Sequence, residues 1–244
     1  MVGWPLLKST TCLFLTMACV AQQSGIQIPP VKTSIDLDKQ PIAITVWGTA
    51  TPASPGLTAL ALTIDLADLQ DHLTAVLSAA VNRSDRCGER LSVERVSLAA
   101  NAPASILTAN VNYERYACVK ALGKQIVKRL VGGHGVIEVS LTPSVADNNI
   151  SLDAQVRKID ADGSLGDVLR SGDLGDSIRE EISDSIESAI QKVTDLKAAL
   201  PAAIESAAVI KGIQFAGGGS GRVWLQLNGE VRLPAEQLRR AVGQ

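Results

Sequence analysis

The feature that most constrains this chain is the alternation of aliphatic and polar residues, repeated in segment after segment. In "LTALALTIDL", residues 57–66, Leu60, Leu62, Ile64 and Leu66 share one face, and Ala59, Ala61, Thr63 and Asp65 share the other. Successive side chains of a strand point to opposite sides, so this pattern predicts a strand with one buried face. Val31, Thr33, Ile35 and Leu37 show the same period, which resumes beyond Gln40-Pro41 at Ile42, Ile44 and Val46. It returns near the end at Val209, Lys211, Ile213 and Phe215, then at Val223, Leu225, Leu227 and Val231. Turn sequences such as "TPASPG" (51–56) and "GGGSG" (217–221) separate the runs. One-sided strands joined in this way make an antiparallel sheet whose apolar face has to be covered.

Two helical patterns can cover it. Leu66, Leu69, Leu73, Val76, Leu77 and Ala80 mark one face at helical spacing, with Asp65 as candidate N-cap. Further on, Leu174, Ile178, Ile182, Ile186, Ile190, Val193, Leu196 and Leu200 fall at spacings of four and then three. That stripe predicts an amphipathic helix of about 25 residues, about 40 Å long. Ser164 is expected to cap a short helix before it, and "LPAEQLRRAV" (233–242) to form a terminal one. The expected class is α+β, with an antiparallel sheet packed on one long helix and one shorter helix.

The segment between the cysteines, 87–118, reads as a hairpin turning at Asn101-Ala102-Pro103-Ala104. Folding about that turn sets Leu98 opposite Leu107 and Val96 opposite Ala109. Val93 and Leu91 then meet Val111 and Tyr113 only if one residue bulges near Glu94-Arg95. Cys87 lands within one residue of Cys118, so a disulfide is the expectation, with a metal pair or two free thiols as alternatives. A second hairpin over residues 135–160 turns at Asp147-Asn148-Asn149, and Pro143 in its first arm implies an edge or a bulge. The segment from Lys120 to Val131 has no clear assignment.

Composition narrows the function classes. The formal net charge is −2 and the aromatics number seven (Phe 2, Trp 3, Tyr 2). There is no overall basic field for nucleic acid, and there are too few rings for a base-stacking surface or the girdles of an outer-membrane barrel. The N-terminus has one lysine, Lys8, and an apolar stretch from Cys12 to Ala21, too short to span a bilayer as a helix. It has the layout of a secretory signal peptide over residues 1–21. Cleavage before Cys19 would leave a lipidated cysteine, and cleavage after Ala21 would discard it; both routes fit. A polar linker (22–30) and a single domain (31–244) follow, and export to the periplasm or a lipid anchorage in the envelope is expected. An oxidising compartment makes the Cys87–Cys118 bridge the default.

Catalytic signatures are scarce. His72 and His134 are the only histidines, and neither has a cysteine or carboxylate at metal-ligand spacing. The serine elbow G-x-S-x-G is absent as a strand-to-helix turn. "DADGS" (160–164) opens like a calcium loop, but Leu165 and Ser171 stand where glycine and glutamate are needed. No cofactor motif is present, so a non-enzyme is expected. Lys120, Lys124, Lys128 and Arg129 form a local basic run, a solvated face or a contact for anionic lipid headgroups.

The order of these elements, with the helix "DLGDSIREEISDSIESAIQKVTDLKAAL" (173–200) among long antiparallel strands, resembles the tubular lipid-binding superfamily. That family includes bactericidal/permeability-increasing protein and small bacterial envelope lipoproteins. The resemblance covers about residues 31–242 and rests on architecture, with no diagnostic residue. It implies a strongly bent sheet wrapped around the long helix and a groove for acyl chains, with Ile178, Ile182, Ile186 and Ile190 as its lining. The expected ligand is a lipid or other apolar small molecule. A closed, filled core, as in a structural or assembly factor of the envelope, is the alternative.

Overall fold

The alternating segments fold as long antiparallel strands with their aliphatic faces turned inward. The computed structural model describes residues 25–37, 40–84, 87–121, 124–170 and 208–233, together with Asp176 and Glu180. Three strands open the chain, β1 (Ile26–Leu37), β2 (Gln40–Ser54) and β3 (Leu57–Asp65), and helix α1 (Ala67–Val81) follows. Next come β4 (Arg83–Ser84), β5 (Gly88–Asn101), β6 (Ala104–Ala121), β7 (Lys124–Ala146), β8 (Asn149–Ala161) and the short helix α2 (Gly163–Leu169). Strand β9 (Ala208–Gly217), a 3-10 turn at Gly219–Gly221 and β10 (Val223–Val231) end the described part.

Hydrogen bonding sorts the strands into two five-stranded sheets, β1-β2-β3-β10-β9 and β4-β5-β6-β7-β8. All pairings are antiparallel. The α+β class stands. Where a single bent sheet was expected, the described residues form two, because α1 carries the chain away from β3 and β10 later returns to it. The long helix expected over 174–200 lies outside the described residues, except that Asp176 and Glu180 are helical.

The hairpin between the cysteines forms in the expected register. Leu98 pairs with Leu107, Val96 with Ala109, Val93 with Val111 and Leu91 with Tyr113, with the shift between Val93 and Arg95. The stretch without assignment becomes the far end of β6 and the start of β7, which pair from Ser105↔Leu141 to Ala121↔Lys124. Pairing with β6 stops at Leu141, so β7 is an edge at Pro143, where a missing N–H costs no ladder bond.

Four expectations shift. Strand β1 starts inside the segment read as a linker: Ile26 and Ile28 are in the core, and Pro29-Pro30 fall at a register shift on this edge strand. On α1, Val81 rather than Ala80 completes the buried face. Its first residue takes the Asp65 carboxylate (Ala67 N–H to Asp65 Oδ1, 3.0 Å), but Leu66 occupies the cap position, its own N–H bonded to Val223 O. In β9, the inward set begins as Ala208 and Ile210, leaving Val209 exposed, because pairing with β10 slips between Asn228 and Gly229.

Strand β9 closes one side of the interior. It edges the first sheet yet packs against β5, β6 and β7 of the second. The Phe215 N–H donates to Pro103 O at 2.8 Å, and Asn148 bonds both Ala208 O and the Ile210 N–H. The turns of the two long hairpins thus occupy backbone groups of an edge that would otherwise invite another strand.

Candidate functional site

The β6–β7 hairpin carries the features that distinguish this surface. Tyr113 ends the buried row of β6; residues 114–118 are half-buried, and from Val119 the strand continues as an exposed ribbon. Val119 and Ile126 pair across it and are 59% and 54% exposed; Leu130, the extra residue of a bulge opposite Arg115-Tyr116, is 54% exposed. Paired residues share a face, so the Val119–Ile126 pair lies between Ala117–Lys128 and Ala121–Lys124. Lys120 and Gln125 sit on the opposite face. Among the described residues, Lys120, Lys124 and Lys128 have no carboxylate partner. The Val119–Ile126 pair is thus flanked by two ammonium groups on its own face, with a third on the opposite face.

Arg129 differs from the lysines it was grouped with. Its Nε lies 3.3 Å from Glu114 Oε1, and its guanidinium folds over Gly132, where a Cβ would meet Nη2 at 2.0 Å. Glu114 also accepts from the Tyr116 hydroxyl at 2.9 Å, and Arg90 stacks 4.4 Å over the Tyr116 ring. Arg129 therefore belongs to the brace at the base of the ribbon. The same base holds the Cys87–Cys118 disulfide, with Cα atoms 5.6 Å apart, and the Gln125 amide reaches Cys87 Sγ at 3.0 Å. A charge run in the sequence could show the cations; only the pairing separates the engaged arginine from the lysines.

The interior between the sheets is almost wholly aliphatic. Ile137 and Val139 of β7 and Leu225 and Val231 of β10 have no exposed surface. A small apolar space between Leu60, Leu62, Ala208, Ile210 and Leu227 measures about 10 Å³. The groove residues expected on the long helix, Ile178, Ile182, Ile186 and Ile190, lie outside the described residues, as does Cys19.

Each histidine has a carbonyl or carboxylate oxygen beside it. His72 Nδ1 lies 2.8 Å from Asp68 O, one turn back on α1. His134 Nδ1 lies 3.2 Å from Glu94 Oε1 in an open cleft of about 360 Å³ that also borders Asp160 and Asp162. Among the described residues no serine, threonine or cysteine lines that cleft. Asp162 in the calcium-like segment accepts the His134 N–H instead, and Ser164, expected as a cap, bonds both the N–H and the C=O of Gly132. Among the described residues no group of three or more His, Cys, Asp or Glu could hold a metal ion.

No protein-family model matches the chain, and no curated protein matches its sequence. A solved structure similar to it is the crystal structure of lipopolysaccharide binding protein, at a TM-score of 0.35 and 8% identity. The match covers 79% of this chain and 33% of that one, so this chain spans about a third of that protein. At that level the likeness assigns no residue a role.

Proposed function

We propose that this is an exported, non-catalytic envelope protein that binds lipid, docking on anionic membrane through the β6–β7 ribbon and holding acyl chains against the 174–200 helix stripe. The observation that carries the reading is the ribbon: three aliphatic side chains more than half exposed, on a hairpin end with three lysines that have no carboxylate partner among the described residues. Exposed aliphatics gain by entering the acyl boundary, and each lysine near an anionic surface contributes about 1 kcal/mol. The disulfide at the base of the ribbon supports an oxidising compartment, and hence export. In this reading Ile178, Ile182, Ile186 and Ile190 of the 174–200 stripe face the ligand.

Vesicle flotation tests the docking. The wild type should float with phosphatidylglycerol vesicles and not with phosphatidylcholine alone. The triple variant Lys120→Glu, Lys124→Glu, Lys128→Glu should lose most of that binding while its melting temperature holds. Equal flotation of both proteins would remove the ribbon from the reading.

A second reading, an assembly factor with a filled core, is favoured where β3, β9 and β10 meet: among the described residues the space between Leu60, Leu62, Ala208, Ile210 and Leu227 measures about 10 Å³. That is room for about one water and far too little for an acyl chain.

A further inference from the structure

The outward face of the first sheet carries a surface of a different kind. Across the strands, one row runs Trp47, Thr63, Gln226, Gln214, and the next runs Gln27, Thr49, Ala61, Asn228, Gly212. One residue in five of this chain is charged (20%), yet these rows contain no formal charge. Of the charged groups in the bordering rows, Asp65 pairs with Arg222 and Glu230 with Lys211, while Lys32 stands beside Thr45 at the β1 end. A cleft of about 350 Å³ runs along the rows, lined by Gln27, Trp47, Thr49, Thr63, Gln226 and Asn228. Between Trp47 and Thr49, Gly48 leaves no room for a side chain against β3: a Cβ there would meet Ala61 O at 2.1 Å.

The lining sets one braced aromatic ring among neutral polar groups. Trp47 meets Trp224 edge to face, with centroids 5.7 Å apart at 90°. Trp224 is in turn backed by Gly218, where a Cβ would fall 2.6 Å from the indole. The Gln214 amide donates to Gln226 Oε1 at 2.9 Å, which leaves the Gln226 NH₂ free to donate. The side chains of Thr49, Thr63 and Asn228 make no hydrogen bond to protein among the described residues. Both donors and acceptors therefore face the cleft.

This chemistry selects its occupant by exclusion. A nucleic acid or acidic sugar would need cations, and none line the cleft. An acyl chain would cover amides and hydroxyls without satisfying them, at a cost for each group. A pyranose with equatorial substituents has a flat C–H face for an indole and a rim of hydroxyls for amides and threonines. We propose that this cleft binds a neutral, β-linked oligosaccharide of the glucose or N-acetylglucosamine type, with Trp47 as stacking platform and Thr63, Gln226 and Asn228 as hydroxyl partners. The volume lies at the small end of ligand pockets and admits about one or two sugar rings of a longer chain. This site is separate from the ribbon and from the interior, so it stands or falls independently of lipid binding.

The test titrates the full chain with cellotetraose and with tetra-N-acetylchitotetraose, using calorimetry and the indole N–H resonances, with tetragalacturonate as anionic control. Saturable binding of at least one neutral tetrasaccharide is expected, in the range of about 0.1–1 mM for so shallow a site. Trp47→Ala should weaken it at least about tenfold. Because that change also removes the contact to Trp224, Thr63→Val serves as a second variant of equal volume. It should weaken binding several-fold with an unchanged melting temperature. The proposal is overturned if neither neutral tetrasaccharide saturates at millimolar concentration, if the acidic one binds better, or if neither substitution changes the affinity.

Discussion

Thr74 stands on the side of α1 that meets β5, and its Oγ1 accepts the Val96 N–H at 2.9 Å. It belongs to a polar stripe at a spacing of four. Gln70 donates to Leu98 O and accepts the Val223 N–H, Ser78 donates to Val93 O, and Asn82 accepts the Val93 N–H. Strand β4 pairs with only two residues of β5, so most of that edge has no strand beside it, and the helix supplies its hydrogen bonds instead. Thr74→Val preserves volume but leaves the Val96 N–H without its acceptor, so unfolding free energy in urea should fall by about 1–3 kcal/mol. A loss near zero would mean that water takes the place of the hydroxyl. The apolar stripe of this helix was legible because apolar residues have only one place to go. The polar stripe lay in the sequence at the same period, but polar residues on a helix face solvent by default, and nothing local distinguishes those that meet a strand edge.

At the scale of elements, the β5–β6 hairpin was the most legible part because three constraints agreed: a turn with proline, a matched apolar face and a cysteine at each open end. The bridge spans a sequence separation of 31. In the chain-entropy picture such a loop is worth about 3–4 kcal/mol, by limiting the unfolded chain. The double variant Cys87→Ser, Cys118→Ser should lose about that much, with a larger urea m-value as the unfolded chain expands. A loss below about 1 kcal/mol would show that the unfolded chain is already compact without the bridge. Strand β9 was legible as a strand but its inward face was not. Its alternation, Val209, Lys211, Ile213, Phe215, is interrupted by the slip opposite Asn228-Gly229, and a one-residue slip turns the preceding side chains over. The slip depends on Gly229, where a Cβ would meet Val209 O at 2.6 Å, and a glycine in a strand does not announce which neighbour comes close. The β6–β7 ribbon went unassigned for a related reason. With both faces exposed it has no alternation to read, and the pairing of β6 with β7 supplies its structure.

For the molecule as a whole, the question is whether the aliphatic interior is open or closed, and period-two patterning cannot answer it. A strand facing a lipid and a strand facing a packed helix have the same apolar face. The two readings part on volume. Ile182→Trp adds a large side chain to the stripe proposed to line the groove. In an open groove it takes space that lipid would fill, displacing the ligand with a modest change in stability. In a filled core it overpacks, typically at a cost of about 1–3 kcal/mol, with nothing to displace. Native mass spectrometry of protein isolated from its own envelope, wild type beside Ile182→Trp, reads both possibilities together with thermal melting. The lipid reading expects a co-purifying mass of lipid size on the wild type that is reduced on the variant. The same spectra give the mass of the N-terminus, acylated at Cys19 or beginning at Gln22, and so test export. A bare wild-type chain together with a marked fall in the melting temperature of the variant would leave the filled-core assembly factor as the reading that fits the aliphatic interior. The exposed ribbon would then be a surface for a protein partner.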